Sequence, residues 1–487
     1  MEAAAQLAEH GAHVGAGAQD LVARSHRRGP WRIGAMRGSR ARVDRATSVR
    51  PLLCSPPFGM RRPLDSTLSP HVRGMMTSPA VRIADRCDAM RARGDNVYKL
   101  VLGQSPFPIP DRMVDALRVA AAEKEYLPAQ GLPALRRAIA AHVERRLGVD
   151  RTGEDVLVGP GSKELVFLLQ IAFNGDLLIP TPAWVSYVPQ ARVLGREVVM
   201  LPTRREDQYL LRPDDLAAVC ERGGDRPRLL VLNYPSNPTG LTYRADELRE
   251  LARVAQKHGV LLLADEIYAE LHHKGQHASI ARWYPEGTIL STGISKWLGA
   301  GGWRLGAFVF PQELRGLLDA MACVASETYT STSAPVQHAA VVAFEGGEDI
   351  DRYLQQVRRV LAALGRWSAR RLVAAGIDCA QPVGAFYVFP DFGGVGGAMR
   401  ARGITTSTGL CEALLDETGV ALLPGSVFGR PEEELTARLA YVDFDGARAL
   451  SAVSVIPREQ PLDETFLRRH CARVVEAVER IVGWVRR

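Results

Sequence analysis

The sequence predicts an α/β protein: a large domain built on a mostly parallel sheet between helices, followed by a smaller α+β domain. Three observations carry this. Short apolar runs bounded by turn residues recur at 155–158, 176–179, 229–232, 260–264, 289–291 and 307–310. Helical periods separate several of them; over 245–258, Leu248, Leu251, Ala252 and Ala255 fall on one face. Continuous apolar strands that alternate with helices belong in a parallel sheet covered on both sides. After about residue 350 the texture changes, with an arginine-rich helical stretch at 351–375, short strand signals at 385–389 and 438–443, and a final helix at 463–485.

Ahead of this body, residues 1–65 are rich in Arg, Gly, Ala and Pro without a hydrophobic period, which predicts a disordered basic leader. The leader lacks a signal-peptide apolar core, and its arginine excess is like that of a transit peptide. Only six of the 61 basic residues in the chain are lysine, a bias spread throughout. An upstream start, with Met60 as the alternative, and a functional arm are the other two readings. The expected organisation is then an N-terminal arm and part of the small domain at 66–110, the large domain at 111–350, and the small domain at 351–487.

Charge narrows the function classes. The net charge is +7, but residues 1–75 hold twelve arginines against five acidic residues, leaving the rest of the chain neutral. A neutral body offers no electrostatic footprint for nucleic acid. No apolar run approaches the ~18 residues of a membrane span. Seven scattered cysteines without a Cys-x-x-Cys pair suit reduced thiols in the cytoplasm. No metal site is expected, and His272 and His273 read as a solvated pair.

The segments that carry chemistry follow strand ends, where open α/β sheets bind ligands. Gly159-Pro160-Gly161-Ser162-Lys163 precedes an apolar helix, and free N–H groups at a helix start with a hydroxyl make an anion site. Trp184 suits stacking on a flat ring or core packing. In Asn233-Tyr-Pro-Ser-Asn237-Pro-Thr-Gly240 the prolines and glycine fix a turn that projects the Asn237 amide. Asp265, with Tyr268 three residues on, ends the next run; an acid there suits a ring nitrogen or a helix cap. Lys296 stands eight residues before Arg304 in a glycine-studded loop, an amine for an aldehyde cofactor beside a guanidinium for its phosphate. Arg438, among apolar neighbours, requires a carboxylate, from substrate or from the protein.

Taken together, these segments resemble the class I/II aminotransferases of the fold type I pyridoxal-phosphate enzymes, the group that includes aspartate aminotransferase. Asn-x-Pro-x-Asn-Pro-Thr-Gly, Asp-Glu-x-Tyr and Ser-Lys…Gly-x-Arg-x-Gly occur in family order across roughly residues 68–485. Tyr126-Leu-Pro-Ala-Gln-Gly131, Gly384-Ala-Phe-Tyr387-Val-Phe-Pro-Asp391 and Pro424-Gly-Ser-Val-Phe-Gly429 support the match.

The resemblance implies a seven-stranded sheet sandwiched by helices and pyridoxal 5'-phosphate as cofactor. By similarity, Lys296 holds the cofactor as an internal aldimine and moves the substrate's proton. Asp265 pairs with the pyridine nitrogen, while Tyr268 and Asn237 bond the ring's phenolate oxygen. Trp184 stacks on the ring; Ser162, Lys163 and Arg304 hold the phosphate. Tyr126 reaches the phosphate of a neighbouring subunit, implying a homodimer with a shared site. Arg438 clamps the substrate α-carboxylate, and Gly103 offers close backbone approach, beside Trp184 and Asn237. One position departs: where the family often has a serine or threonine three residues before the lysine, this chain has Gly293, removing a phosphate donor worth ~1 kcal/mol.

The implied activity moves an amino group between an L-amino acid and a 2-oxo acid. A lyase, cyclase or decarboxylase would share the same residues. A cofactor-holding regulatory module is disfavoured by the intact residue set and by the absence of a helix-turn-helix pattern in the leader. The amino-acid donor is not specified by the sequence.

Overall fold

Five successive parallel strands and one antiparallel intruder organise the larger part of this computed structural model, which describes residues 67–487. The leader expected at 1–65 lies outside the described residues. In chain order the strands are β1 (Tyr98–Lys99), β2 (Val156–Gly159), β3 (Asp176–Thr181), β4 (Val198–Pro202), β5 (Arg228–Asn233), β6 (Val260–Asp265), β7 (Thr288–Gly293), β8 (Gly306–Val309), β9 (Tyr387–Val388), β10 (Val420–Ala421), β11 (Leu423–Pro424) and β12 (Ala437–Ala440). Seven of them form one sheet in the order β2-β8-β7-β6-β5-β3-β4. Strands β4, β3, β5, β6 and β7 pair in parallel, and β8 runs antiparallel to both β7 and β2.

The apolar runs become central strands because both faces are covered. Every residue of β2 and β8 is buried, and β5 and β6 are buried through their middles. Helix Ala245–Lys257 turns the expected face inward, with Leu248, Leu251, Ala252 and Ala255 all buried. Strand β8 reverses direction because only the segment 294–305, with one short 3-10 turn, separates it from β7; a parallel return needs a longer crossover, usually a helix. That segment contains Lys296.

Strands β11, β12 and β9 form a smaller antiparallel sheet, and β1 pairs in parallel with β10. The N-terminal part of the described chain thus joins the C-terminal part: Ala84, Cys87, Val97 and Val101 pack with Phe389, Leu415, Leu423 and Phe428.

Three expectations need correction. Edge strand β4 is missing from the sequence reading, although Val198–Leu201 is an apolar run. The final helix is two, Glu464–His470 and Ala472–Val485, broken at Cys471, where φ is −125° and ψ 29°. His272 and His273 are not solvated: burial holds both at about 4, well below the usual imidazole value. His272 Nδ1 accepts the backbone N–H groups of Lys274 (3.2 Å) and Gln276 (3.1 Å), which a protonated ring does not permit.

Candidate active site

The carboxyl ends of β5, β6 and β7 deliver Asn233, Asp265 and Gly293 to one edge of the sheet, and the loop after β7 brings Lys296 over them. Asp265 is 4% exposed. Its Oδ2 accepts from Tyr187 Oη and its Oδ1 from Ser291 Oγ at 3.1 Å. Desolvation still outweighs these donors and holds the carboxyl above its ordinary value. A cationic N–H brought to it would reverse that shift.

Lys296 is recessed rather than fully enclosed, and its Nζ donates to the Gly103 carbonyl at 2.8 Å. The amine also lies 5.7 Å from the Tyr268 ring centroid. Burial first, then the nearby Arg438 and Arg304 charges, pull its pKa down to about 8. An ordinary lysine is almost wholly protonated near neutrality; this one is poised to lose its proton.

Arg438, on β12, is 3% exposed and has no carboxylate partner among the described residues. Its Nη1 donates to Asn237 Oδ1 at 2.8 Å, its Nη2 to the Val101 carbonyl, and its Nε finds no acceptor. The rings of Tyr387 and Phe428 lie 4.8 and 5.1 Å from its guanidinium carbon. A buried cation held only by neutral oxygens and aromatic rings has the chemistry to take an incoming anion. Asn237 is held in turn by its own N–H, which donates to Asn233 Oδ1 at 2.7 Å.

A second positive corner lies at the helix Ser162–Ala172. Gly161 precedes it with φ at 95°, a left-handed value that favours glycine. A Cβ on Gly161 would lie 2.3 Å from Arg304 Nη2, and one on Gly306 2.4 Å from the Ser162 nitrogen. Two glycines therefore let the guanidinium close on the helix start. Among the described residues Arg304 bonds only the carbonyls of Gly301 (2.9 Å) and Pro160 (3.2 Å). Lys163 has no acidic partner among the described residues; its Nζ lies 5.4 Å from the Trp184 centroid, and burial with Arg304 lowers its pKa. Trp184 is half-buried and packs edge-on against Tyr187, 5.1 Å between centroids.

Of the residues singled out by sequence, Lys296, Asp265, Tyr268, Asn237, Arg438 and Gly103 are linked by these contacts, and Ser162, Lys163, Trp184 and Arg304 gather at the neighbouring corner. Tyr126 stands apart, 88% exposed. Gly293 has a steric reason: a Cβ there would lie 2.9 Å from Gly306 Cα and from the Leu305 carbonyl oxygen, so the β7–β8 pairing leaves no room for serine. Sequence reasoning missed Tyr187, Ser291 and Tyr387 as contacts. Only the register, which sets Ser291 opposite Asp265, reveals the second of them.

Fold and cleft together define an α/β protein in which a recessed lysine lies near a buried carboxyl and two arginines without an acid partner among the described residues. The model of the family described as aminotransferase class I and II matches residues 95–442, and the chain belongs to that family; it is an aminotransferase. It is 33% identical over 384 residues to an aspartate aminotransferase of Geobacillus stearothermophilus, covering 77% of this chain and 94% of that protein. An asparagine–oxo-acid transaminase of Streptococcus mutans is 32% identical over 385 residues, with the same coverage. Among solved structures, an aspartate aminotransferase of Rhizobium meliloti superposes with a TM-score of 0.73 at 28% identity, over 86% of this chain and 99% of that one. The Thermus thermophilus aspartate aminotransferase with maleate gives 0.72 at 28%, over 85% and 99%. The lyase, cyclase or decarboxylase reading is not favoured by these relatives.

Proposed function

We propose that the chain is a pyridoxal 5'-phosphate-dependent aminotransferase whose preferred donor is a dicarboxylic amino acid of the aspartate type, with a 2-oxo acid as acceptor. The observation that carries it is the Lys296 amine, bonded only to a carbonyl and drawn down to about 8 beside a buried Asp265.

The residues fit the cofactor. A dianionic phosphate suits the corner where Arg304, Lys163 and the helix start at Ser162 converge. A protonated ring nitrogen suits Asp265, whose carboxyl is strained toward neutrality until a cation meets it. Trp184 supplies an aromatic face, and Tyr268 and Asn237 supply donors for the ring oxygen. When bound, the cofactor supplies an aldehyde for Lys296 and an electron sink for charge developing at the substrate Cα.

This chain's own groups do the rest. Arg438 receives the substrate α-carboxylate through its two-nitrogen edge, and its bond to Asn237 Oδ1 leaves the Asn237 amide N–H₂ aimed elsewhere. Lys296 Nζ, once it has given up its own proton, takes the proton from the substrate Cα. Gly103 O, now its hydrogen-bond acceptor, keeps that nitrogen beside the cleft.

Aspartate-type donors are supported by the relatives' names. A homodimer is supported by Tyr126, whose exposed ring is free to reach a neighbouring subunit. Free thiols at the six described cysteines suit the cytoplasm. The two sheets suit a large domain at 111–350 and a small one at 351–487, with the 66–110 arm joining the latter through β1.

The test is the absorption spectrum of cofactor-loaded protein, read before and after each of a panel of L-amino acids without oxo acid. Conversion to pyridoxamine phosphate by aspartate, reversed by its 2-oxo acid, is expected. Conversion by neutral amino acids alone would overturn the donor assignment, and no Lys296-dependent band would overturn the cofactor.

A further inference from the structure

Tyr387, on β9, is fully buried, and none of the steps above uses it. Its Oη lies 2.7 Å from Tyr268 Oη, the one hydrogen bond either hydroxyl makes among the described residues. The same oxygen fills the space beside Gly103, where a Cβ would lie only 2.0 Å away. The Arg438 guanidinium carbon stands 4.8 Å from the Tyr387 ring centroid. One phenol thus touches the tyrosine assigned to the cofactor oxygen, the glycine whose carbonyl holds Lys296, and the arginine assigned to the substrate.

A tyrosine hydroxyl carries one proton. In the pair alone, either oxygen can be the donor. Once Tyr268 gives its proton to a ligand oxygen, it has none left for Tyr387, and the bond between them survives only if Tyr387 donates. The two hydroxyls then form a directed relay from Tyr387 to Tyr268 to the ligand. A donor that is itself accepting a hydrogen bond is polarised and donates more strongly. The cation over the Tyr387 ring acts in the same direction, drawing electron density off that phenol.

We propose that Tyr387 is a positioning residue that fixes the donor direction of Tyr268 and thereby sets the acidity of the nitrogen joining Lys296 to the cofactor. This rests on the cofactor reading above. Donation to the ring oxygen stabilises its anionic form and so favours loss of the proton on that nitrogen. Removing the Tyr387 hydroxyl weakens the donation and raises the protonation midpoint. The requirement for glycine at 103 follows too, since any side chain there displaces the Tyr387 oxygen from Tyr268.

The experiment is a pH titration of the Lys296-dependent absorption band in loaded wild type, Tyr387→Phe, Tyr268→Phe and the double variant. Tyr387→Phe is expected to raise the midpoint by roughly half a unit to one unit, about one modest hydrogen bond. In the Tyr268→Phe background the same change is expected to do nothing further. Gly103→Ala, which keeps both hydroxyls but pushes them apart, is expected to shift the midpoint the same way, and it serves if Tyr387→Phe does not fold. An unmoved midpoint in both variants, or an equal shift with and without Tyr268, overturns the relay. If wild type itself shows no band that Lys296→Ala abolishes, the cofactor reading fails instead.

Discussion

Arg438 Nη1 and Asn237 Oδ1 lie 2.8 Å apart across 201 residues of sequence, joining the smaller sheet to the loop after β5. The contact does two things. It holds a guanidinium that has no acid to pair with, and it sets which end of the Asn237 amide faces the cleft. On the proposed function, substrate capture and cofactor orientation would share this one hydrogen bond.

Arg438→Lys keeps the charge and loses the planar fork. We expect kcat/KM to fall about a hundredfold or more, from the loss of one or two charge-assisted bonds, while the cofactor band persists. Steady-state kinetics beside an absorption spectrum checks this. An unchanged kcat/KM would remove Arg438 from substrate binding.

Lys296 is also a stability element. Its pKa is about 8 in the folded, cofactor-free protein and about 10.4 when unfolded, so the folded state is burdened with an unwanted proton below pH 8. The burden is relieved as pH rises from about 8 to 10.4, where the unfolded chain binds more protons. Lys296→Met is therefore expected to unfold at higher temperature than wild type at pH 7, by the equivalent of ~1–2 kcal/mol, with the gap closing toward pH 10. Calorimetry of both apo proteins across that range decides it; a constant gap contradicts the assignment.

Restoring the family's hydroxyl through Gly293→Ser is expected to fail. The new Cβ meets two backbone atoms at 2.9 Å, and backbone yields less readily than a flexible side chain. A loss of ~1–3 kcal/mol in stability is expected from such overpacking, with no gain in cofactor affinity. Denaturant unfolding and a cofactor titration read both parts, and tighter binding would contradict the steric account.

Acid is expected to weaken the fold in two stages. His272 and His273, held at about 4, bind fewer protons than in the unfolded chain, so stability drops as pH falls from about 6.5 to 4. Glu270, lowered to about 2 by hydrogen bonding and charge from His142, Arg146 and Arg358 against the cost of burial, adds a second loss below about 4.5. His272→Asn is expected to shrink the first stage, leaving the His273 share, and to spare the second. Urea midpoints measured from pH 7 to 3 check the order.

Much of this was legible in the sequence because strand-end chemistry is written locally. Asp265 closes a short apolar run, and Asn237 and Lys296 follow others by a few residues, so their strings announce them without tertiary information. Tyr187, Ser291 and Tyr387 are different. Ser291 matters through its register opposite Asp265, and Tyr387 through the space left by Gly103, neither of which a linear pattern encodes. The buried histidines eluded the reading for a related reason: polarity in the string predicts exposure, and the backbone N–H groups that satisfy His272 are visible only once the turn exists. The reversal at β8 follows from a connection too short to cross over, a length the sequence does contain.

The pairing of β1 with β10, and the Val101 carbonyl's hold on Arg438, have a consequence for the protein's birth. Lys296 leaves the ribosome well over a hundred residues before Arg438, about ten seconds or more at common synthesis rates. Through most of that interval the N-terminal arm has no strand to join, and Arg438 is not yet present. If Lys296 takes an aldehyde cofactor as proposed, other aldehydes would meet it before Arg438 is in place, and a chain truncated before β12 would carry the amine without that arginine.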